Sequence, residues 1–365
     1  MRSLERGKGY ESLERSIGRI AAAYGFSSAP ANIPRKSFAV GDLDAKTAAS
    51  SALAASVAPG TAPAQVWGAA RKGSSTLISF GIFSTRHAIA PAILVKTALS
   101  IAETAGFTEL AVSVSSVGDL ESRRRFTREL GNWFRKHLDE TPEDVRELAA
   151  KDPDAAYRTL IQRQDPLLES MPRSIDYLSE NSRKTMLTAL SLFESVGIPY
   201  TLDPRLAAES GTESELLFAV TGTDKRHNRV TVATGGRYDE LMKRLKGQNA
   251  GPAVIIALEL DGRLDIEASE ETPECFVVHV GDIAKLRAFA LLEALWRAHL
   301  AVGNALMAEN LREGVERAHK AKSRYIAIIG QREALDDTVI IRSIGSELQM
   351  TLPFEKVTAH VGRGR

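Results

Sequence analysis

One cysteine in 365 residues, Cys275, leaves no basis for an internal disulfide framework or a cysteine-based zinc cluster. Within Glu274–Val280 it reads as a small apolar strand residue. No apolar run reaches the roughly 18 residues needed to cross a bilayer. The stretch Met1–Gly9 has no apolar segment of the kind a secretory signal carries. The expectation is a cytoplasmic protein with no membrane partner. Charge of one sign is also missing: 47 basic against 46 acidic residues give +1. Nucleic acid would therefore have to be held by a local patch rather than by a global field. Aromatics, at 6%, are too sparse to supply rows of base-stacking rings. His87, His137, His227, His279, His299, His319 and His360 show no metal-ligand spacing. Neither a nucleophile elbow nor a Walker loop is present. No metal site is expected.

What is there is an ordinary globular composition, 44% hydrophobic and 25% charged, in a chain long enough for two or three domains. Glu11–Tyr24 has an amphipathic helical pattern, and residues 41–64 are rich in Ala and Ser. Thr76–Phe83 and Leu110–Ser115 have strand character, with a helix between them over Ala88–Ala105. Residues 119–196 turn helical and charged, and are broken at Pro153, Pro166 and Pro172. Their basic stretch, Arg123 to Lys136, reads as a solvated helix face balanced by Glu121 and Glu129. Strand-like segments return at Glu215–Val220, Arg229–Ala233 and Ala253–Leu258. Glu267–Pro273 is an acidic, polar linker by composition. After it, strands and helices alternate in a small α/β pattern that begins parallel.

Gly235-Gly236-Arg237-Tyr238-Asp239 stands out between the strand at Arg229–Ala233 and a short helix. Paired glycines allow a tight turn or a close backbone approach to a ligand, and the turn is the weightier reading. Upstream lies Ile198–Leu206 and downstream Pro252–Leu264. In order and spacing these pieces resemble histidyl-tRNA synthetase, a class II aminoacyl-tRNA synthetase. The resemblance covers nearly the whole chain. It implies an α+β fold, with a class II antiparallel sheet core over 1–116 and 198–265. A helical insertion over 117–197, a linker at 266–273 and an anticodon-binding-like α/β domain over 274–365 complete it.

The resemblance also identifies pocket positions. Gly60, Thr61, Gly235, Gly236, Arg237, Tyr238 and Arg263 are those retained, Arg263 only if Gly262 is an insertion. Pro59 stands where the family has a glutamate, and Ala208, Thr212 and Glu213 where it has an arginine and two tyrosines. Ile255 and Glu259 fall on the glycines against which the adenine lies. Most of the hairpin carrying a further family arginine reads as deleted, since Gln65–Ser75 leads straight into Leu77–Phe83. Adenylate formation builds negative charge that arginine and metal must stabilise. The expectation is a paralogue with no catalytic residue and no cofactor, acting as a binding or regulatory protein. A diverged ligase using ATP and Mg²⁺, with Arg71, Arg205 and Arg237 as substitutes, is the first alternative. The others are a protein like the regulatory subunit of ATP phosphoribosyltransferase and an RNA-binding accessory protein. The family implies a homodimer. tRNA or other RNA, or a protein, stays open as partner, with Arg312, Arg317, Lys320, Lys322 and Arg324 as the candidate RNA contacts.

Overall fold

The computed structural model describes residues 12–29, 45–57, 62–208, 213–346 and 348–363. These fall into two compact units. The smaller takes the described parts of 1–28 and 262–365 with 103–105, and the larger those of 29–102 and 106–261.

Helix α1 (Leu13–Ala23) and the two-residue strand β1 (Ser27–Ser28) are the first elements among the described residues. In the larger unit follow α2 (Ala45–Ser56), β2 (Ala64–Lys72), β3 (Ser75–Phe83) and α3 (Ala90–Ala105). Next come β4 (Thr108–Gly118), α4 (Leu120–Lys136), α5 (Glu143–Lys151), α6 (Pro153–Arg163) and α7 (Glu180–Ser195). The unit closes with β5 (Tyr200–Leu202), β6 (Ser214–Thr223), β7 (Arg229–Arg237), α8 (Asp239–Lys246) and β8 (Ala253–Asp261). Its sheet runs β2-β3-β8-β7-β6-β4-β5 and is antiparallel except where β5 joins β4. The expected strands over 76–83 and 253–258 are the central ones. They carry buried side chains on both faces, which is why their sequences read as continuous apolar runs.

Two expectations need correction. The hairpin read as mostly deleted is present. Residues 64–72 pair with 75–83 from Ala64↔Phe83 to Lys72↔Ser75, closed by Gly73 at φ 58° and Ser74. A glycine first in a two-residue connection suits a tight hairpin, so what reads as a gap is a short turn. The Gly235-Gly236 pair is not a turn either. β7 continues through both glycines to Arg237, and neither has positive φ. A Cβ on Gly235 would lie 2.4 Å from the Ile255 carbonyl oxygen and 2.5 Å from Phe218 Cε2. On Gly236 it would lie 2.8 Å from the Leu216 carbonyl oxygen. Close approach of neighbouring strands, not a bend, requires glycine here.

The helical part is held by capping and by one apolar cluster. Asp119 caps α4 through the Ser122 amide at 2.9 Å, and Asp152 caps α6 through the Ala155 amide at 2.9 Å. Phe126, Leu130, Trp133 and Phe134 of α4, spaced on one helix face, pack with Tyr157 and Leu160 of α6. Opposite them the basic face is solvated as the pattern implied: Arg125 pairs with Glu121, and Arg128 lies 3.4 Å from Glu129.

In the smaller unit β9 (Cys275–His279), α9 (Asp282–Arg297), β10 (Val302–Asn304), α10 (Leu311–Lys320) and β11 (Tyr325–Ile329) alternate. α11 (Gln331–Leu335), β12 (Thr338–Ser343), β13 (Gln349–Pro353) and α12 (Phe354–Gly362) complete it. The sheet order is β10-β9-β11-β12-β13, parallel across β10, β9 and β11 and antiparallel beyond. Cys275 is buried, and burial pushes its thiol up to about 12. α1 packs in this unit. The Asn304 amide donates to the Ala23 carbonyl at 2.7 Å, and Tyr24 meets Phe289 edge to face at 6.5 Å. The acidic segment after β8 lies along α1. Arg19 pairs with Glu271 at 2.7 Å, and the Glu267 carbonyl sits 2.2 Å from where a Cβ on Gly18 would be. Its composition reads as a flexible linker, but these contacts make it a fixed strap.

Candidate functional site

Pairing places Gly81 of β3, Ile255 of β8 and Gly236 of β7 side by side. Ile255 is wholly buried in a cluster with Phe83, Tyr238, Leu241 and, from α2, Leu53. The room beside Gly81 is filled from within: a Cβ there would meet Phe83 at 2.5 Å and Leu53 at 3.3 Å. α2 is therefore a cover on the sheet face that carries Ile255. Its Ala48, Ala49, Ala52 and Leu53 are buried, and small residues let the helix sit close to the strands. At its two ends Lys46 donates to the Thr231 carbonyl at 2.9 Å, and Lys246 of α8 donates to the Ala55 carbonyl at 2.6 Å. Glu259, further along β8, is paired with Lys72 at 3.1 Å.

Arg237 is buried and turned to Asp239, its Nη2 lying 3.2 Å from both carboxylate oxygens. Asp239 Oδ1 also accepts the Ala253 amide at 3.2 Å, so this pair ties the end of β7 and the start of α8 to β8. Arg237 Nε is buried with no partner among the described residues. Tyr238 is buried, and Arg263 is exposed just past Gly262, which has φ 98°. Of the substitute arginines, Arg71 is exposed and Arg205 is exposed beside Asp203 at 3.8 Å. Pro59, Gly60, Thr61 and Thr212 lie outside the described residues.

Where the insertion meets the core there is a cavity of about 320 Å³. Ala208, the position at which the resemblance expects an arginine, lines it, and Glu213 is buried nearby. Its polar wall comes from Arg123 of α4, Asp152, Asp154 and Arg158 around the start of α6, and Arg244 of α8. Burial pushes the Asp154 carboxyl up, although it accepts a 2.6 Å hydrogen bond from Thr127. Burial lowers the Arg123 guanidinium pKa against the opposing pull of Glu213 and Asp154, while Arg244 lowers it further. Glu215, nearby on β6, sits at φ 53° with its carboxyl pushed up by burial. The sequence reading missed this cavity. Its arginines belong to three helices spread over more than a hundred residues of chain and form no motif. The one legible trace was Arg123, in a basic run that otherwise faces solvent.

Two of the five proposed RNA contacts are paired with glutamates on α10. Arg312 lies 2.8 Å from Glu316 and Arg317 2.5 Å from Glu313. Arg324 rests over the Tyr325 ring at 5.1 Å, and Lys320 and Lys322 are exposed. Among the described residues no group of three metal-ligating side chains is found, and no helix is long and apolar enough to cross a membrane.

A large antiparallel sheet with a separate α/β unit is the architecture of a class II aminoacyl-tRNA synthetase, and the comparisons agree. Residues 274–362 match the anticodon binding domain family. The structure is similar to apo S. aureus histidyl-tRNA synthetase, with a TM-score of 0.50 at 18% identity, covering 99% of this chain and 100% of that one. Two histidine–tRNA ligases are similar in sequence. That of Symbiobacterium thermophilum is 27% identical across 77% of this chain and 67% of its own length. That of Fervidobacterium nodosum is 28% identical across 75% and 66%. The chain is thus similar to histidine–tRNA ligases in sequence and to a histidyl-tRNA synthetase in fold, and it spans about two thirds of the length of these relatives.

Proposed function

We propose that this chain is a histidyl-tRNA synthetase paralogue that does not form the aminoacyl-adenylate and serves as a binding or regulatory protein. The observation that carries this reading is the filled sheet face: Phe83 and Leu53 occupy the space beside Gly81, in one buried cluster with Ile255. A nucleotide lying there would have to displace α2. The engagement of Arg237 Nη2 by the half-buried Asp239 carboxylate supports the same reading, because it turns that guanidinium away from a developing phosphate charge. The homodimeric, cytoplasmic setting implied by the family belongs to this proposal. The test is histidine-dependent ATP–pyrophosphate exchange. Loss of one charge-stabilising donor already costs roughly 10²–10³ in rate. Exchange is expected to be no faster than in an Arg263→Ala variant, and exchange clearly above that control overturns the reading.

The match of 274–362 to an anticodon binding domain favours RNA, tRNA in particular, as a partner of this unit. With Arg312 and Arg317 held by glutamates, Lys320 and Lys322 are the cations left for phosphates. Two such contacts give a log–log salt slope of roughly −1.5 on single-stranded segments. A filter-binding titration with tRNA should give this shallow slope, and no binding at low salt removes RNA from the proposal.

A further inference from the structure

The cavity between insertion and core bears charges of both signs, but they are not equally committed. Asp152 is held as the cap of α6, and Asp154 by the Thr127 hydroxyl. Arg123 lies in the field of the opposite charges of Glu213, Asp154 and Glu240. Arg158 and Arg244 differ. Neither makes a hydrogen bond or a close ion pair among the described residues, although Asp154 attracts Arg158 through space, and both line the cavity from separate helices. Donors without a hydrogen bond therefore remain on two of the lining guanidiniums, Arg158 and Arg244. Beside them is an apolar floor of Val117, Phe126, Leu206 and Ala207, where Phe126 meets Tyr157 edge to face at 5.5 Å.

We propose that this cavity binds a small organic phosphomonoester, its phosphoryl group on Arg158 and Arg244 and its apolar body against Phe126 and Ala207. A dianion answers two uncommitted guanidiniums, whereas a carboxylate would leave one unmatched. Arginine also matches phosphoryl oxygens in bidentate fashion. At about 320 Å³ the space is at the small end of ligand sites, which excludes a triphosphate. The inference stands whether or not the chain forms an adenylate, because no element of the family pocket except Ala208 enters it.

Calorimetry on the full chain with phenyl phosphate, benzoate and inorganic phosphate tests it. Phenyl phosphate should bind. Arg158→Ala and Arg244→Ala should each weaken it roughly tenfold to a hundredfold, the range for a lost charged hydrogen bond, and Arg158→Lys should restore part of the loss. Both positions are at least partly exposed on helices, so circular dichroism should show these variants folded. Failure of phenyl phosphate to bind at millimolar concentration, or unchanged binding in both alanine variants, overturns the site. Benzoate binding as tightly overturns the phosphoryl assignment. Inorganic phosphate binding as tightly overturns the apolar half of the site.

Discussion

Gly235→Val is expected to prevent the large sheet from forming at ordinary temperature. The new Cβ would stand 2.4 Å from the Ile255 carbonyl oxygen and 2.9 Å from Ile256 Cα. Both are backbone atoms of β8, a central strand paired on both edges, so neither can step aside. Overpacking a core commonly costs about 1–3 kcal/mol even when side chains can adjust. Here the obstacle is main chain, and the loss should reach or exceed about 3 kcal/mol. Gly235→Ala meets the same two atoms and should lose nearly as much. Gly73→Ala, at the tip of the hairpin, meets nothing within 4 Å and should lose much less, through its positive φ alone. Urea denaturation of the three variants gives the order. A Gly235→Ala protein as stable as the parent would show that the glycine pair serves something other than strand packing.

Breaking the Arg237–Asp239 pair from the acidic side should be the second large effect. Asp239→Ala removes both 3.2 Å contacts and leaves the guanidinium, only 7% exposed, without its counter-charge. A buried charge stripped of its partner typically costs about 3–5 kcal/mol. The Ala253 amide loses its acceptor in the same step. Arg237→Met should cost less, because the remaining carboxylate still has that amide and Arg86 at 3.5 Å. The double variant should recover much of the Asp239→Ala loss. A double-mutant cycle by chemical denaturation measures the coupling, and strictly additive losses would mean that the pair is not a unit.

Much of the architecture could be read before any coordinates, for a physical reason. The helix of Leu120–Lys136 carries apolar residues at helical spacing, and the alternating strands and helices after Cys275 each have their own local period. Such signals need only neighbouring residues. What escaped depends on residues far apart. The hairpin at Gly73 was missed because a two-residue turn leaves almost no sequence between its strands. Gly235 and Gly236 read as a turn in sequence because the reason for their missing side chains lies on β6 and β8, not in their own stretch. Helix α2 gave no sided pattern because alanine and serine fit either environment, yet that blandness is what lets it lie flat on the sheet. The cavity arginines, at 123, 158 and 244, come together only once three helices are in place.

Asn304 holds the carbonyl of Ala23, and Gly18 leaves room for the backbone at Glu267. The first helix of the chain is thus a structural piece of the module that matches at 274–362. Excising that module would cut away a wall. Phe289 would lose Tyr24, and the excised piece would present a sticky groove to its neighbours in solution. Anyone wishing to study it in isolation would do better to graft residues 12–24 back on, or to supply them as a peptide in trans.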